Sequence, residues 1–492
     1  MEVMFIVPPD TMSIEASMSK TYGEKERGYY PKLGVLYVAG YLEKVTGLRP
    51  AFIDCPANGI GYKDLPSHIL AAKPDLVGIG VLTFNVLDTL KCARLVKTLS
   101  PTTKICLGGM HVGLYPMETL RLPEVDFVVH GEGERPFAWL VQALDGGASH
   151  QQISQIPGIG WKVGQEVYLN KATDLTPDLN QLPFPARHLI DLKRYSHILS
   201  KGHQFTTLQS SRGCPFACTF CDIRRSGFRG RSPENVLAEI RYLVDRGVDD
   251  MFFVDDTITI QKKRVHEICR LIIQSGIKVY YKISARVDTV TPELLDDLAK
   301  SGCYRIHYGV ETATPRLMKY LEKGTTPEKV EKAFRMTKAA GIQTLAYMMI
   351  GIPTETYEEM QNTIDFAMSL DSDYAQFSVC TPYPKTELYN RLLKDGTIKY
   401  DYWQEFVENP TSDFHVRFWN PDFTEEELHA IQDKAHQRFY GRPSYMLKEL
   451  FKVRSWAQLN AKVRMGGRML FRVRGPGVTE PPDIYVNTAT QE

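Results

Sequence analysis

Three cysteines stand together in the run SSRGCPFACTFCD, and the Cys-x3-Cys-x2-Cys spacing of Cys214, Cys218 and Cys221 lets one loop present three thiolates to a common centre. On a four-iron four-sulfur cube, three thiolates leave the fourth iron open to an exchangeable ligand, whereas a cluster that only carries electrons commonly takes four. An open iron implies chemistry. Zinc is the alternative metal, but a closed zinc site asks for four ligands in paired Cys-x2-Cys or Cys/His spacing, which this run does not complete. A chance group of buried thiols is the third reading. The other six cysteines (Cys55, Cys92, Cys106, Cys269, Cys303 and Cys380) stand singly in apolar surroundings, where free cysteine behaves as a small hydrophobe. Phe220, inside the run, would shield a cluster from water or simply pack.

Further polar residues stand at the carboxyl ends of predicted strands downstream: Asp255 and Asp256 in FFVDD, Ser284 and Arg286 in KISAR, Gly309 and Glu311 in HYGVET, and Gly351 with Pro353 in MMIGIPTET. Taken singly, each has a plainer reading: an N-cap pair, a surface ion pair, a rim charge satisfied by neighbours. Their shared position on successive strands joins them, because sites of β/α barrels lie at those ends. Upstream, LGGMHVGLYP and VDFVVHGEGERPF carry Gly108, Gly109, Gly131, Glu132 and Gly133, where bare backbone lets a flat macrocycle or a nucleotide tail approach closely. His111 and His130 fall in the same loops.

These residues need a scaffold, and the apolar pattern supplies an α/β one. Residues 1–145 alternate short apolar runs with helical patterns, giving five strands in the rhythm of a doubly wound, Rossmann-like domain. Residues 146–205 lose that rhythm; IPGIGWKVGQEVYLN predicts a hairpin, and LPFPARHLIDLKRY a linker packed between domains. Residues 206–400 hold six βα units with helices that start after Thr-Pro or Ser-Pro and end in Gly, predicting a partial (β/α)6 barrel. Residues 401–492 read as a helical cap and tail.

The charge balance, 59 Lys+Arg against 58 Asp+Glu, argues against a nucleic-acid partner. With 43% hydrophobic residues and no apolar run of membrane-spanning length, a soluble globular protein is expected, and MEVMFIVPPD has no signal-peptide pattern, so a cytoplasmic setting is the expectation. The segment from Arg438 to Arg474 is locally basic. Its cations Arg438, Arg442, Lys448, Lys452, Arg454, Lys462, Arg464, Arg468, Arg472 and Arg474 face one acid, Glu449. Such a segment can cap the barrel with its cations in water, or make peripheral contact with an anionic membrane.

Residues 205–400 resemble the radical S-adenosylmethionine (SAM) superfamily, carried by the cysteine run and the strand-end motifs. The resemblance implies a [4Fe-4S] cluster on Cys214, Cys218 and Cys221 whose open iron binds SAM, with reduction cleaving SAM to a 5′-deoxyadenosyl radical. It implies that Asp255 and Asp256 accept from the SAM amino group, that the strand of Ser284 and Arg286 offers a cation to its carboxylate, and that Gly309, Glu311 and Gly351 border ribose and adenine. Residues 1–145 resemble the cobalamin-binding domain that precedes many such barrels, with Gly108, Gly109, Gly131, Glu132 and Gly133 matching its loops. The Asp-x-His-x-x-Gly loop that ligates cobalt in many corrinoid proteins is missing, and the first histidine is His68, so cobalamin held without histidine ligation is expected. The whole resembles the branch of the anaerobic magnesium-protoporphyrin monomethyl ester oxidative cyclase and related methylases. That implies a small-molecule or a lipid- or tetrapyrrole-like substrate and an electron donor such as flavodoxin or ferredoxin. Methylation of an unactivated carbon, oxidation or ring closure without net methylation, and a non-catalytic iron-sulfur and corrinoid carrier or sensor are the three activities in play.

Overall fold

The computed structural model describes residues 1–14, 28–172, 176, 178–197 and 199–451, with side chains described as far as residue 447. Two parallel sheets organise the chain. The first contains β1 (Val3–Val7), β2 (Ala51–Asp54), β3 (Leu76–Gly80), β4 (Lys104–Gly108), β5 (Phe127–Val129), β6 (Ile159–Val163) and β7 (Glu166–Leu169), in the order β2-β1-β3-β4-β5-β6-β7. Strands β1 to β5 are parallel, and β6 and β7 add an antiparallel hairpin at the edge. The hairpin expected within 146–205 therefore extends this sheet into the stretch read as linker. Residues of β1 and β3 are buried nearly end to end, as a parallel sheet covered on both faces requires. The order reverses direction between β1 and β3, and in open α/β sheets a ligand crevice opens outside the carboxyl ends at such a switch point.

The second sheet contains six parallel strands in sequential order: β8 (Phe205–Leu208), β11 (Asp250–Phe253), β12 (Tyr280–Ala285), β13 (Cys303–Glu311), β14 (Gln343–Ile350) and β15 (Tyr374–Val379). A two-stranded ribbon, β9 (Ser211–Arg212) with β10 (Arg229–Gly230), follows β8. The intervening helices begin where proline and a hydroxyl cap direct: Ser232, Thr291 and Thr326 each accept from a backbone N–H of the first turn, with proline next. The edge of β15 is covered by the helix Glu425–Tyr440, whose Tyr440 hydroxyl accepts from Ala375 N (3.1 Å) and donates to Ala375 O (2.7 Å). An edge strand protected in this way does not recruit another chain.

The two halves share one apolar core. Leu317, Leu321, Ile352, Cys380, Leu388 and Trp403 from the carboxyl-terminal half pack in the same cluster as Ile6, Val81, Val86 and Val112. Arg187, fully buried in the connecting stretch, donates to Glu239 (2.6 Å) and to Thr207 O (2.7 Å), and Arg231 closes on the other oxygen of Glu239. The Tyr195 hydroxyl reaches Asp54 at 2.9 Å. In the tail, Arg438 is spent on Asp365 (2.6 Å) and Arg442 on Met368 O (3.1 Å), so these two cations fasten the end of the chain to the barrel. The Lys448 side chain and all of Lys452, Arg454, Lys462, Arg464, Arg468, Arg472 and Arg474 lie outside the described residues. No helix among the described residues is long and apolar enough to cross a membrane.

Candidate functional site

The ribbon β9-β10 brackets the cysteine loop, and the loop closes on itself. Ser226 N donates to Cys214 O (3.0 Å), Arg225 N to Phe216 O (2.9 Å), and Cys214 N to the Ser226 hydroxyl (3.0 Å). From below, Asp255 accepts from Ser210 N (3.0 Å) and from the Ser210 and Ser211 hydroxyls, while the neighbouring Asp256 accepts from Gly213 N (2.7 Å). From the far side of the barrel, Thr219 N donates to Leu321 O (2.9 Å) and Leu388 N to Thr219 O (2.8 Å). A short loop with so many fixed points presents its side chains in one arrangement.

Cys218 is buried, with Cys214 and Cys221 half-buried at the mouth of the barrel. Arg286 Nη1 stands 3.5 Å from Cys218 Sγ, and its guanidinium lies 3.8 Å from the ring centre of Phe216. Asp288 (2.8 Å) and Lys323 O (2.6 Å) hold that cation in place. Burial pushes the Cys221 thiol up to about 12 and the Cys214 thiol upward as well, so a binding metal must displace their protons. Among the described residues no group of three or more His, Cys, Asp or Glu gathers closely enough to hold a single metal ion. A four-iron cube asks for something else, one thiolate on each of three irons, and three cysteines on a braced loop beside a cation fit that demand.

Beside the loop, Glu311 ends β13 with φ +69°, at a register shift against β14, and pairs with Lys323 Nζ at 2.7 Å with both side chains buried. A non-glycine residue held there costs on the order of 1–3 kcal/mol and persists where function gains from it. Gly309 makes the pair possible: a Cβ on it would lie 2.5 Å from Glu311 Oε1 and 2.7 Å from Lys323 Nζ.

Below the mouth the lumen is open. Phe252, Ser284, Gly309, Tyr347, Met349, Gln376 and Ser378, the inward positions of five strands, are each part-exposed, while their outward neighbours are buried under helices. A closed eight-stranded barrel fills this space with side chains; here six strands leave room for a reactant.

At the carboxyl edge of the first sheet, the loops after β3 and β4 present Leu82 and Met110, 48% and 41% exposed. Gly109 there has φ +107°, and a Cβ on it would lie 2.8 Å from Val81 O. An apolar platform floored by close-packed backbone fits a broad, flat ligand such as a corrin. His111 is buried with Nδ1 against the Thr83 hydroxyl (3.1 Å), and burial brings it down to about 4, so it is neutral. The neighbouring loop, with Gly131, Glu132 and Gly133, is tied to the cysteine loop. Glu132 meets Arg212 (3.1 Å) and Arg229 (2.7 Å), and Glu134 meets Arg212 (2.6 Å). Burial opposes ionisation of Glu132, but the two guanidinium groups overcome it and hold the carboxylate down at about 2.

Four of the residues singled out in the sequence have partners within the protein. Asp255 is engaged by Ser210 and Ser211, whereas Asp256 is exposed at the mouth. Glu132 is engaged by Arg212 and Arg229. The bare position on Gly351 is filled by Leu428, 2.8 Å from where a Cβ would stand, so this glycine serves packing. Phe220 packs into the core shared by the two halves, and the ring under Arg286 is that of Phe216. Sequence reasoning passed over Lys323, Arg212 and Asp288. Arg212 lies two residues before Cys214, so its position beside the motif was a usable signal; nothing local marks Lys323.

Comparison with known proteins matches residues 208–367 to the Radical SAM superfamily model and residues 19–141 to the B12 binding domain model. An uncharacterized methyltransferase of Pyrococcus horikoshii is 31% identical over 92% of this chain and 95% of its own length. The anaerobic magnesium-protoporphyrin IX monomethyl ester cyclase of Rubrivivax gelatinosus is 29% identical over 75% of this chain and 68% of its own length. Among solved structures, the radical S-adenosylmethionine methyltransferase TsrM of Kitasatospora setae shares the fold, with a TM-score of 0.69 at 18% identity over 89% of this chain and 90% of that one. The cobalamin-dependent S-adenosylmethionine radical enzyme OxsB shares it with a TM-score of 0.72 at 17% identity over 95% of this chain and 72% of that one.

Proposed function

The chain belongs to the radical SAM superfamily, with a B12 binding domain ahead of the barrel, and from that premise we propose that it is a cobalamin-dependent radical SAM enzyme that methylates an unactivated carbon. When bound, the cluster, SAM and cobalamin supply a carbon-centred radical able to take hydrogen from an unreactive C–H bond, and a methyl group to replace it. The observation that carries the reading is the pair of ion bridges through Arg212. They tie the loop of the three cysteines to the glycine-rich edge of the first sheet, the arrangement that a reaction drawing on both groups would need.

The chain's own residues have distinct tasks in this reading. Cys214, Cys218 and Cys221 hold three irons. Arg286 balances the charge of the cluster and its ligand from the Cys218 side, and Asp256 accepts from the SAM amino group. Gly309 and the Glu311–Lys323 pair border the ribose, and Ser284 lies one step below Arg286 in the lumen. Leu82, Met110, Gly108, Gly109, Gly131 and Gly133 face the corrin. The lumen walls hold the substrate carbon apart from other C–H and S–H groups, which matters because a carbon radical takes hydrogen from any weaker bond within reach.

A second reading, oxidation or ring closure without net methylation, is favoured by the likeness to the Rubrivivax gelatinosus cyclase. Anaerobic turnover with SAM, a reductant and candidate substrates separates the two: methylation yields S-adenosylhomocysteine and 5′-deoxyadenosine together, ring closure the latter without the former. A small-molecule substrate and a low-potential electron donor are implied by the superfamily, and a flavodoxin or ferredoxin is the natural donor. Peripheral membrane contact through the basic segment after Lys448 belongs to this proposal too. Sedimentation with liposomes that rises with anionic lipid and falls with salt supports it, and indifference to lipid charge counts against it.

A further inference from the structure

The floor of the barrel lumen holds charge for which the reaction at the mouth has no use. Lys282 is fully buried; its ammonium touches His197 Nδ1 at 2.7 Å and faces the rings of Phe205 and Phe252 at 4.9 and 5.2 Å. Arg305, also buried, donates to Leu199 O (3.0 Å) and to Gln343 Oε1 (2.8 Å). Neither cation has a carboxylate partner among the described residues. The nearby carboxylate, Asp250, is occupied by the N–H groups of Lys201 (2.6 Å) and Gly202 (3.0 Å) and by the Tyr304 hydroxyl (3.2 Å). Burying a cation without a counter-ion costs several kcal/mol and is retained where something else is gained.

Above these cations lies a polar shelf in which Ser284 and Tyr347 are part-exposed and His307 is buried. Ser284 stands opposite His307 in the register of β12 and β13, and His307 Nδ1 meets the Tyr347 hydroxyl at 3.0 Å. His307 Nε2 is buried without a hydrogen-bond partner among the described residues. Two cations against one carboxylate, behind low-dielectric walls, focus a positive field on the shelf.

We propose that the shelf formed by Ser284, His307 and Tyr347, over Lys282 and Arg305, receives an oxyanion of the substrate, a carboxylate or a phosphate. The proposal rests on the barrel being the reaction chamber. Glu311 lies four residue steps beyond His307 along β13, about 13 Å at roughly 3.3 Å per step. The substrate is therefore long enough to reach from an anionic end on the floor to a reacting carbon at the mouth.

The surroundings make Lys282 the group whose charge responds near neutrality. It is faced by His197, Asp250, Arg305 and His307, with the ring of Tyr30 against His197 and the phenol of Tyr347 against His307. Burial and then Arg305 bring its ammonium down to about 7, with Asp250 opposing. Burial, reinforced by Lys282 and Arg305, keeps His307 well below its ordinary range and His197 down at about 3, so both imidazoles are neutral. A bound anion draws a proton onto Lys282, so anion affinity is highest below pH 7 and falls above it.

Crystals of the full chain carrying its cluster, grown anaerobically and soaked in sodium bromide, test this directly. An anomalous peak against His307 or Tyr347 is expected at pH 6, weak or lost at pH 9, and displaced by inorganic phosphate or by acetate, the stronger competitor telling the two anion classes apart. In solution, Lys282→Met should weaken binding of the better competitor about tenfold or more; should that variant not fold, Tyr347→Phe and the pH comparison on the unaltered chain carry the test. A lumen without bromide while surface sites fill, or a peak indifferent to pH and competitor, overturns the proposal. A preparation that binds bromide on the shelf but leaves SAM intact under reduction instead overturns the reaction assigned to the barrel.

Discussion

Arg212 reaches from the ribbon that opens the cysteine loop to Glu132 at 3.1 Å and Glu134 at 2.6 Å, on the last glycine-rich loop of the first domain. One guanidinium thus sets the position of the metal loop relative to the edge where a corrin would lie. Replacing Arg212 by Met leaves two part-buried carboxylates short of a partner, and a loss of about 1–3 kcal/mol is expected, read as a lower melting temperature.

The same link sets an acid limit. Glu132 is held at about 2, below the ordinary 4.5 of a glutamate, so its contribution is present above pH 4.5 and lost as pH falls towards 2. Thermal melting of the chain followed from pH 6 to pH 3 should decline less steeply in Glu132→Gln, which has already lost the ionic part of the link. Parallel curves for the two proteins would show that the bridge contributes nothing.

Glu355 behaves in the opposite sense. Its side chain is fully buried, Oε2 accepts from Ile352 N at 3.0 Å, and Oε1 has no partner among the described residues. Burial pushes its carboxyl up to about 8. Between pH 4.5 and 8 the folded chain binds a proton that the unfolded chain has released, so stability falls as pH rises through this window. Glu355→Gln removes the titration. The variant should melt a few °C above the parent at pH 8.5 and near it at pH 5, and equal shifts at both would count against a protonated Glu355.

Cobalamin supplied to the chain should bind, and its Co(II) form should give an electron-spin spectrum without nitrogen splitting from a lower axial ligand. His111 is neutral but its ring is buried against Thr83, and His68 is on the exposed face of a helix. Leu82→Asp or Met110→Asp should weaken binding about tenfold, since each places charge under an apolar macrocycle. Clear nitrogen splitting would place His111 or His130 on the cobalt.

The strands and helices were legible in the sequence because each βα unit carries its own punctuation, as in Thr326-Pro327 opening a helix and the apolar TLAYMMI filling a buried strand. The cysteine loop was legible from spacing alone. What escaped was long-range. Lys323 meets Glu311 only because β13 bulges after Gly309, and Glu132 meets Arg212 only because the two domains pack; neither follows from residues near in sequence. The openness of the lumen was equally hidden, since a part-exposed Tyr347 or Gln376 depends on how far six strands curl.

The most direct measurement is the fate of SAM in the anaerobically reconstituted full chain under a strong reductant. Iron and sulfide near four each per chain and steady release of 5′-deoxyadenosine are expected. Alanine at Cys214, Cys218 or Cys221 should abolish both, while Cys55, Cys92, Cys106, Cys269, Cys303 and Cys380 should each be replaceable with the cluster retained. SAM left intact by a chain that carries its full complement of iron, or full cleavage by any of the three alanine variants, would contradict the assignment of this barrel as a radical SAM enzyme.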